Sequence, residues 1–137
     1  MFEPKLIEFQ TLGDARGALV ALEAGKQIPF DIKRAYYIFD TKQGVRRGFH
    51  AHKKLQQVAV CVRGACSFLL DDGTHQATVR LDRPNIGLYI GPMLWHEMFD
   101  FTEDCVLLVL ADELYDESDY IRSHSHFLRW VDDSSVE

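Results

Sequence analysis

Two histidines separated by one residue, His50 and His52, close the segment Gly44-Val45-Arg46-Arg47-Gly48-Phe49-His50-Ala51-His52. On an extended strand successive side chains alternate faces, so this pair projects both imidazoles into one space. The arrangement suits two kinds of chemistry: bonds to a metal ion, or proton transfer. An imidazole titrates near neutrality, so one ring can act as base while its neighbour stays a donor. A third histidine, His96, follows Trp95 in another strand-like stretch. His75 lies beside a turn, and His124 and His126 lie near the C-terminal end, where a surface position is the ordinary reading. His124 and His126 also form an H-x-H, but on a helix that spacing turns the rings apart.

The elements that must hold these rings read as strands. Apolar residues recur with period two or in short buried runs over residues 18–22, 32–39, 58–62, 67–70, 77–81, 86–90 and 106–111, the patterns of half-buried and buried strands. Turn residues separate them, most clearly Asp71-Asp72-Gly73, where a glycine after aspartate favours the positive φ of a tight hairpin. Many short strands without a long helical period between them predict an all-β antiparallel sandwich or barrel. Only the C-terminal end departs from this. Between residues 119 and 130 apolar positions fall at helical spacing, with Asp116, Ser118 and Asp119 as possible N-caps, so one short helix is expected there.

Composition narrows the function. A chain of 137 residues with 47% hydrophobic content fits one domain over 1–137, because about 100–150 residues can bury a working core. The net charge of -6 argues against a nucleic-acid partner, which needs clustered Lys and Arg, while leaving room for one small anionic ligand. No apolar run reaches membrane-spanning length and the first residues lack a secretory pattern, so a cytoplasmic protein that does not meet the membrane is expected. Cys61, Cys66 and Cys105 form no C-x-x-C pair. Cys61 and Cys105, within apolar runs, read as small core residues in a reducing compartment.

The spacing from Gly44 through His50, His52 and Gln57 to Gly64 resembles the first motif of the cupins, a superfamily of double-stranded β-helix (jelly-roll) barrels. Gln57 stands where metal-binding cupins carry a glutamate, and the second motif is degraded, with Met93 at its glycine position although His96 is kept. A neutral amide is a weaker ligand than a carboxylate and supplies no charge to hold an ion. A metal-free site is therefore the expectation.

The run Arg47-Gly48-Phe49-His50-Ala51-His52-Lys53-Lys54-Leu55-Gln56-Gln57, the stretches 87–92 and 95–98, and Tyr115-Asp116-Glu117-Ser118-Asp119-Tyr120-Ile121-Arg122 are similar to the bacterial dTDP-4-keto-6-deoxyglucose 3,4-ketoisomerases. That resemblance implies a homodimer needing no cofactor, with His50 and His52 as the catalytic pair. Its substrate would be a dTDP-linked 4-keto-6-deoxy sugar, used to make amino deoxysugars for surface polysaccharides such as the lipopolysaccharide O-antigen. The related 3,5-epimerases share a D-x-R-G segment and an R-G-x-H segment, which resemble Asp14-Ala15-Arg16-Gly17 and Arg47-Gly48-Phe49-His50. Arg16 and Arg47 are the expected substrate contacts, their guanidinium forks suiting phosphate oxygens.

In such a sugar the C3 hydrogen is acidic because its carbanion delocalises onto the C4 carbonyl. One histidine would remove it and the other would move protons at the oxygens or at C4, passing through an enediol; which does which stays open. His96, Tyr37 and Gln57 are candidate donors to the enolate. The pairing of Arg16 with His96 resembles the members that form the galacto product. Alternatives are a metal-dependent cupin enzyme using His50, His52, His96 and Gln57 as ligands, and a non-catalytic nucleotide-sugar-binding module. A third is a 3,5-epimerase, although His52 is not part of that pattern.

Overall fold

A computed structural model describes residues 2–134. Its strands run in the order β1 (Lys5–Glu8), β2 (Leu12–Asp14), β3 (Gly17–Leu19), β4 (Arg34–Ile38), β5 (Arg47–His52), β6 (Gln57–Arg63), β7 (Cys66–Asp71), β8 (Gln76–Leu81), β9 (Ile86–Ile90), β10 (Trp95–Phe99), β11 (Val106–Ala111) and β12 (Tyr120–Ile121), before one helix, α1 (His124–Ser134). Two antiparallel sheets, β1-β9-β6-β11-β4 and β12-β5-β10-β7-β8, face one another, and β2 and β3 form a separate hairpin. The expected all-β jelly roll with a short C-terminal helix is therefore what the chain forms. No helix of the described residues is long and apolar enough to cross a membrane.

Alternation along the strands builds the interior. Ala59 and Cys61 from β6 meet Phe68 and Leu70 from β7, Leu88 and Ile90 from β9, and Leu107 and Val109 from β11 in one buried cluster between the sheets. The opposite face of β6, Val58 and Val60, is covered by Phe9, Ile28 and Phe30, which explains why β6 reads as an unbroken apolar run. The second sheet is covered outside by α1, where Phe127 packs with Ala51, Trp95 and Ile121. The three cysteines are buried and unpaired. The turn at Asp71-Asp72-Gly73 forms as expected: Gly73 takes φ 98° and its N–H donates to Asp71 Oδ1 at 2.8 Å.

Two sequence expectations shift. The helix begins at His124 rather than near residue 119, because Tyr120 and Ile121 pair with His52 and Ala51 and extend the second sheet. Asp116 caps only a 3-10 turn over Glu117–Asp119, and Asp119 instead accepts from the N–H groups of Lys54 (3.0 Å) and Leu55 (3.1 Å). The strand expected over 18–22 is the short arm β3, whose residues are exposed.

Candidate active site

The site is organised by a bulge in β5. His96 pairs with His50, Glu97 with Gly48 and Met98 with Arg47, the register slipping between His96 and Glu97. Phe49 is the extra residue, held at φ 60°. Residues 50 and 47 would lie on opposite faces of a regular strand; the bulge returns Arg47 to the face shared by His50 and the core residue Met98. Gly48 allows this, since at φ +93° an added Cβ would stand 2.9 Å from the His96 carbonyl oxygen.

Three imidazoles meet inside the barrel. The His50 ring lies 4.9 Å from His52 and 4.5 Å from His96, centroid to centroid. His50 Nδ1 donates to the Gly48 carbonyl at 3.0 Å and His96 Nδ1 donates to the Leu94 carbonyl at 3.1 Å. A carbonyl only accepts, so both rings carry their proton on Nδ1 and present a bare Nε2. His52 Nε2 is buried and without a hydrogen-bond partner. Burial, reinforced by the neighbouring imidazoles, pushes the His52 ring down to about 2, and burial with His50 beside it brings His96 to about 3. His50, also desolvated, is lowered from 6.5. All three are neutral at pH 7, and His50, whose lowering is the smallest, is the one best placed to take up a proton.

The facing sheet supplies donors. Gln57, 1% exposed, donates through Nε2 to the Tyr36 hydroxyl oxygen at 2.8 Å, which leaves the phenolic proton free to donate elsewhere. Tyr37, the sequence candidate, points the other way: it is 64% exposed and stacks on Phe39 outside the sheet. The alternation of β4 turns Arg34, Tyr36 and Ile38 inward and Ala35 and Tyr37 outward, so the barrel tyrosine is Tyr36 and the expectation for Tyr37 is corrected. Arg34 lies over the rings of Tyr36 and Tyr115 at 5.3 and 5.9 Å, with its Nε buried and unpartnered. A cavity of about 610 Å³ opens here, lined by Arg34, His52, Leu55, Tyr115 and Tyr120 among others.

The segment before α1 forms the remaining wall. Tyr120 lies 5.0 Å from the His50 ring and 4.4 Å from the His52 ring. Glu117 accepts from the Tyr115 hydroxyl and binds Arg122 through both oxygens, at 2.7 and 2.8 Å. The sequence reads this segment as a matching motif and as the capped start of a helix, and does not mark Arg34, Tyr36 or Tyr120 as wall residues. The period-two parity of β4 could have found Tyr36, but the fold-back of residues 112–121 has no local signal.

Arg16 is not with the histidines of its own chain. It sits at the tip of the β2–β3 hairpin, 89% exposed, paired with Asp14 at 2.6 Å. Arg47 is exposed on β5; burial raises the Tyr36 phenol, and the charges of Arg34 and Arg47 act against that rise. Away from the site, His124 is more than a surface residue: its Nε2 meets buried Asp71 at 2.8 Å.

His50, His52 and His96 each offer a ring nitrogen, all within 4.8 Å of one another, close enough to share a divalent ion. Gln57 offers only a neutral amide oxygen, its Nε2 being bonded to the Tyr36 hydroxyl, and no carboxylate joins the cluster among the described residues. The donor set is thus three neutral imidazoles without a charged ligand.

The family described as FdtA: WxcM-like, C-terminal, matches residues 2–132. The chain is 54% identical over 135 residues to a TDP-4-oxo-6-deoxy-alpha-D-glucose-3,4-oxoisomerase of Aneurinibacillus thermoaerophilus, covering 98% of this chain and 97% of that protein. Among solved structures, a 3,4-ketoisomerase from Helicobacter canadensis superposes with a TM-score of 0.93 at 48% identity, covering 97% of this chain and 100% of that one. A histidine-to-asparagine mutant of the 3,4-ketoisomerase QdtA from Thermoanaerobacterium thermosaccharolyticum, in complex with TDP-4-keto-6-deoxyglucose, superposes with a TM-score of 0.94 at 44% identity, covering 100% and 99%. A family match over nearly the whole length, joined to a cupin barrel with three inward imidazoles, places this chain in the FdtA, WxcM-like C-terminal family.

Proposed function

We propose that the protein converts TDP-4-keto-6-deoxyglucose to the 3-keto isomer without a cofactor, in the cytoplasm, on a route to surface amino deoxysugars. The observation that carries this is the cluster of neutral imidazoles facing a phenol whose proton is unclaimed. His50 is the C3 base: its Nδ1 proton is tied to Gly48, so Nε2 receives the proton, and of the three rings it is the least buried. Tyr36 donates to the C4 oxygen as the enediol forms. His52 Nε2, buried and unpartnered, accepts a hydrogen bond from the O3 hydroxyl, whose proton passes to the Tyr36 phenolate as protonated His50 returns its proton to C4. His96 backs the base and, with Arg16, favours the galacto product.

Arg34, which lines the cavity, and Arg47, exposed on β5, suit the diphosphate, since guanidinium forks match phosphate oxygens. The protein acts as a homodimer. Its β2–β3 hairpin exposes Leu12 at 45% and Leu19 at 57%, apolar surface that a second copy would cover while receiving Arg16.

Incubating TDP-4-keto-6-deoxyglucose with the enzyme in deuterated water, followed by NMR, tests the reading. Loss of the C3 proton signal and appearance of a 3-keto product are expected, with both lost in His50→Asn. An unchanged substrate would mark a binding module, exchange at C5 an epimerase, and activity abolished by chelators a metal-dependent enzyme.

A further inference from the structure

Far along the barrel from the histidines lies a second cluster of reactive groups that the isomerisation does not use. Gln57, Ala59 and Cys61 follow one another inward on β6, so the Cys61 level is about 13 Å from that of Gln57 at strand rise. Cys61 Sγ stands 3.4 Å from Cys66 Sγ and 3.7 Å from Cys105 Sγ, and the three sulfurs all lie within 4.8 Å of one another. They come from three separate pieces of chain: β6 of one sheet, β7 of the other, and the loop leading into β11.

Three sulfurs bonded at about 2.3 Å to one centre stand about 3.5 Å apart if the bonds form a pyramid with angles of about 100°, and about 4.0 Å apart if they lie in a plane. The separations of 3.4 and 3.7 Å fall at or near the pyramid, and the third lies within 4.8 Å. The surroundings restrict the centre further. Ala59, Phe68, Leu107 and Ile38 pack into the same cluster, with no fourth ligand among the described residues and little tolerance for net charge. A divalent ion on three thiolates would leave a negative charge there, and a monovalent ion would leave two. A trivalent centre on three thiolates is neutral and pyramidal.

We propose that Cys61, Cys66 and Cys105 form a preorganised site for a trivalent thiophilic centre, with arsenite as its representative ligand. Each step is a ligand exchange without redox change. A cysteine sulfur bonds to arsenic, one As–O bond breaks, and the thiol proton leaves with that oxygen as water; three exchanges turn arsenous acid and three thiols into a neutral tris-thiolate and three waters. Entry is through the surface cleft of about 240 Å³ that Cys105 lines with Tyr37, Phe39 and Val106.

The test is titration of the reduced, folded enzyme with sodium arsenite at neutral pH. It is read by native intact mass, by thiols left titratable, and by the thermal midpoint. One arsenic per chain is expected, with loss of three hydrogens in mass, no free thiol, and a midpoint raised by several degrees because the ligand binds the folded state. Cys61→Ala and Cys105→Ser should each fail to retain arsenic through gel filtration, and His52→Asn should retain it. Circular dichroism checks that each variant folds, and Cys105→Ser, at the cleft, serves if Cys61→Ala does not. Absence of uptake, a lowered midpoint (thiols captured only in the unfolded chain), or full retention in a folded cysteine variant would overturn the proposal.

Discussion

Lowering the pH from 7.5 to 5 should destabilise the protein through its buried histidines, by an amount the structure sets. In the unfolded chain each imidazole titrates near 6.5. In the folded chain His52 and His96, 2% and 3% exposed, are held near 2 and 3. Between those values the unfolded state binds protons that the native state cannot, so stability falls as pH drops below 6.5 and the loss saturates only at the folded values. At pH 5 each ring costs about 2 kcal/mol, at about 1.4 kcal/mol per pH unit. The pair together costs about 4 kcal/mol, a large part of an ordinary domain's stability. His50 adds loss of the same sign. The carboxylates with lowered folded values, among them Asp71 and Glu97, lose their contribution mainly below their unfolded values of 3.8 and 4.5, so this window isolates the histidines. Urea unfolding at the two pH values, for the parent and for a His52→Asn, His96→Asn double variant, measures the effect. The readout is the difference between pH values, which cancels any pH-independent cost of the substitutions. A double variant that loses as much stability as the parent would refute the reasoning.

Tyr36→Phe removes the free phenolic proton and keeps the ring under Arg34; kcat should fall about 100-fold with KM little changed, as for loss of one donor to a developing oxyanion, and steady-state kinetics will show it. Arg34→Gln should instead raise KM and weaken inhibition by TDP with a smaller effect on kcat; calorimetry of TDP binding separates the two. Gly48→Ala, with a Cβ forced at φ +93° to 2.9 Å from the His96 carbonyl oxygen, should cost about 2 kcal/mol in urea unfolding and depress turnover by disturbing Arg47 and His50 together.

Much of this was legible in the chain itself. The parity of H-x-H placed His50 and His52 on one face, because strand periodicity is a local property that tertiary packing exploits and does not alter. The interrupted apolar runs pointed to an antiparallel sandwich or barrel, the resemblance to the first cupin motif implied the jelly roll, and the substitution of Gln57 for an acid marked the donor set as uncharged. Tyr36 against Tyr37 was a one-residue parity question that the period-two pattern of β4 raises and the folded register settles: Tyr36 pairs with the core residue Val109 and Tyr37 with Leu108. The rest needed the folded molecule. The bulge at Phe49 that redirects Arg47, the return of Tyr120 across His50 and His52, and the meeting of three cysteines from two sheets all depend on contacts distant in sequence. The histidines' neutrality has the same origin: an imidazole's titration depends on how much water surrounds it, and only the closed barrel sets that.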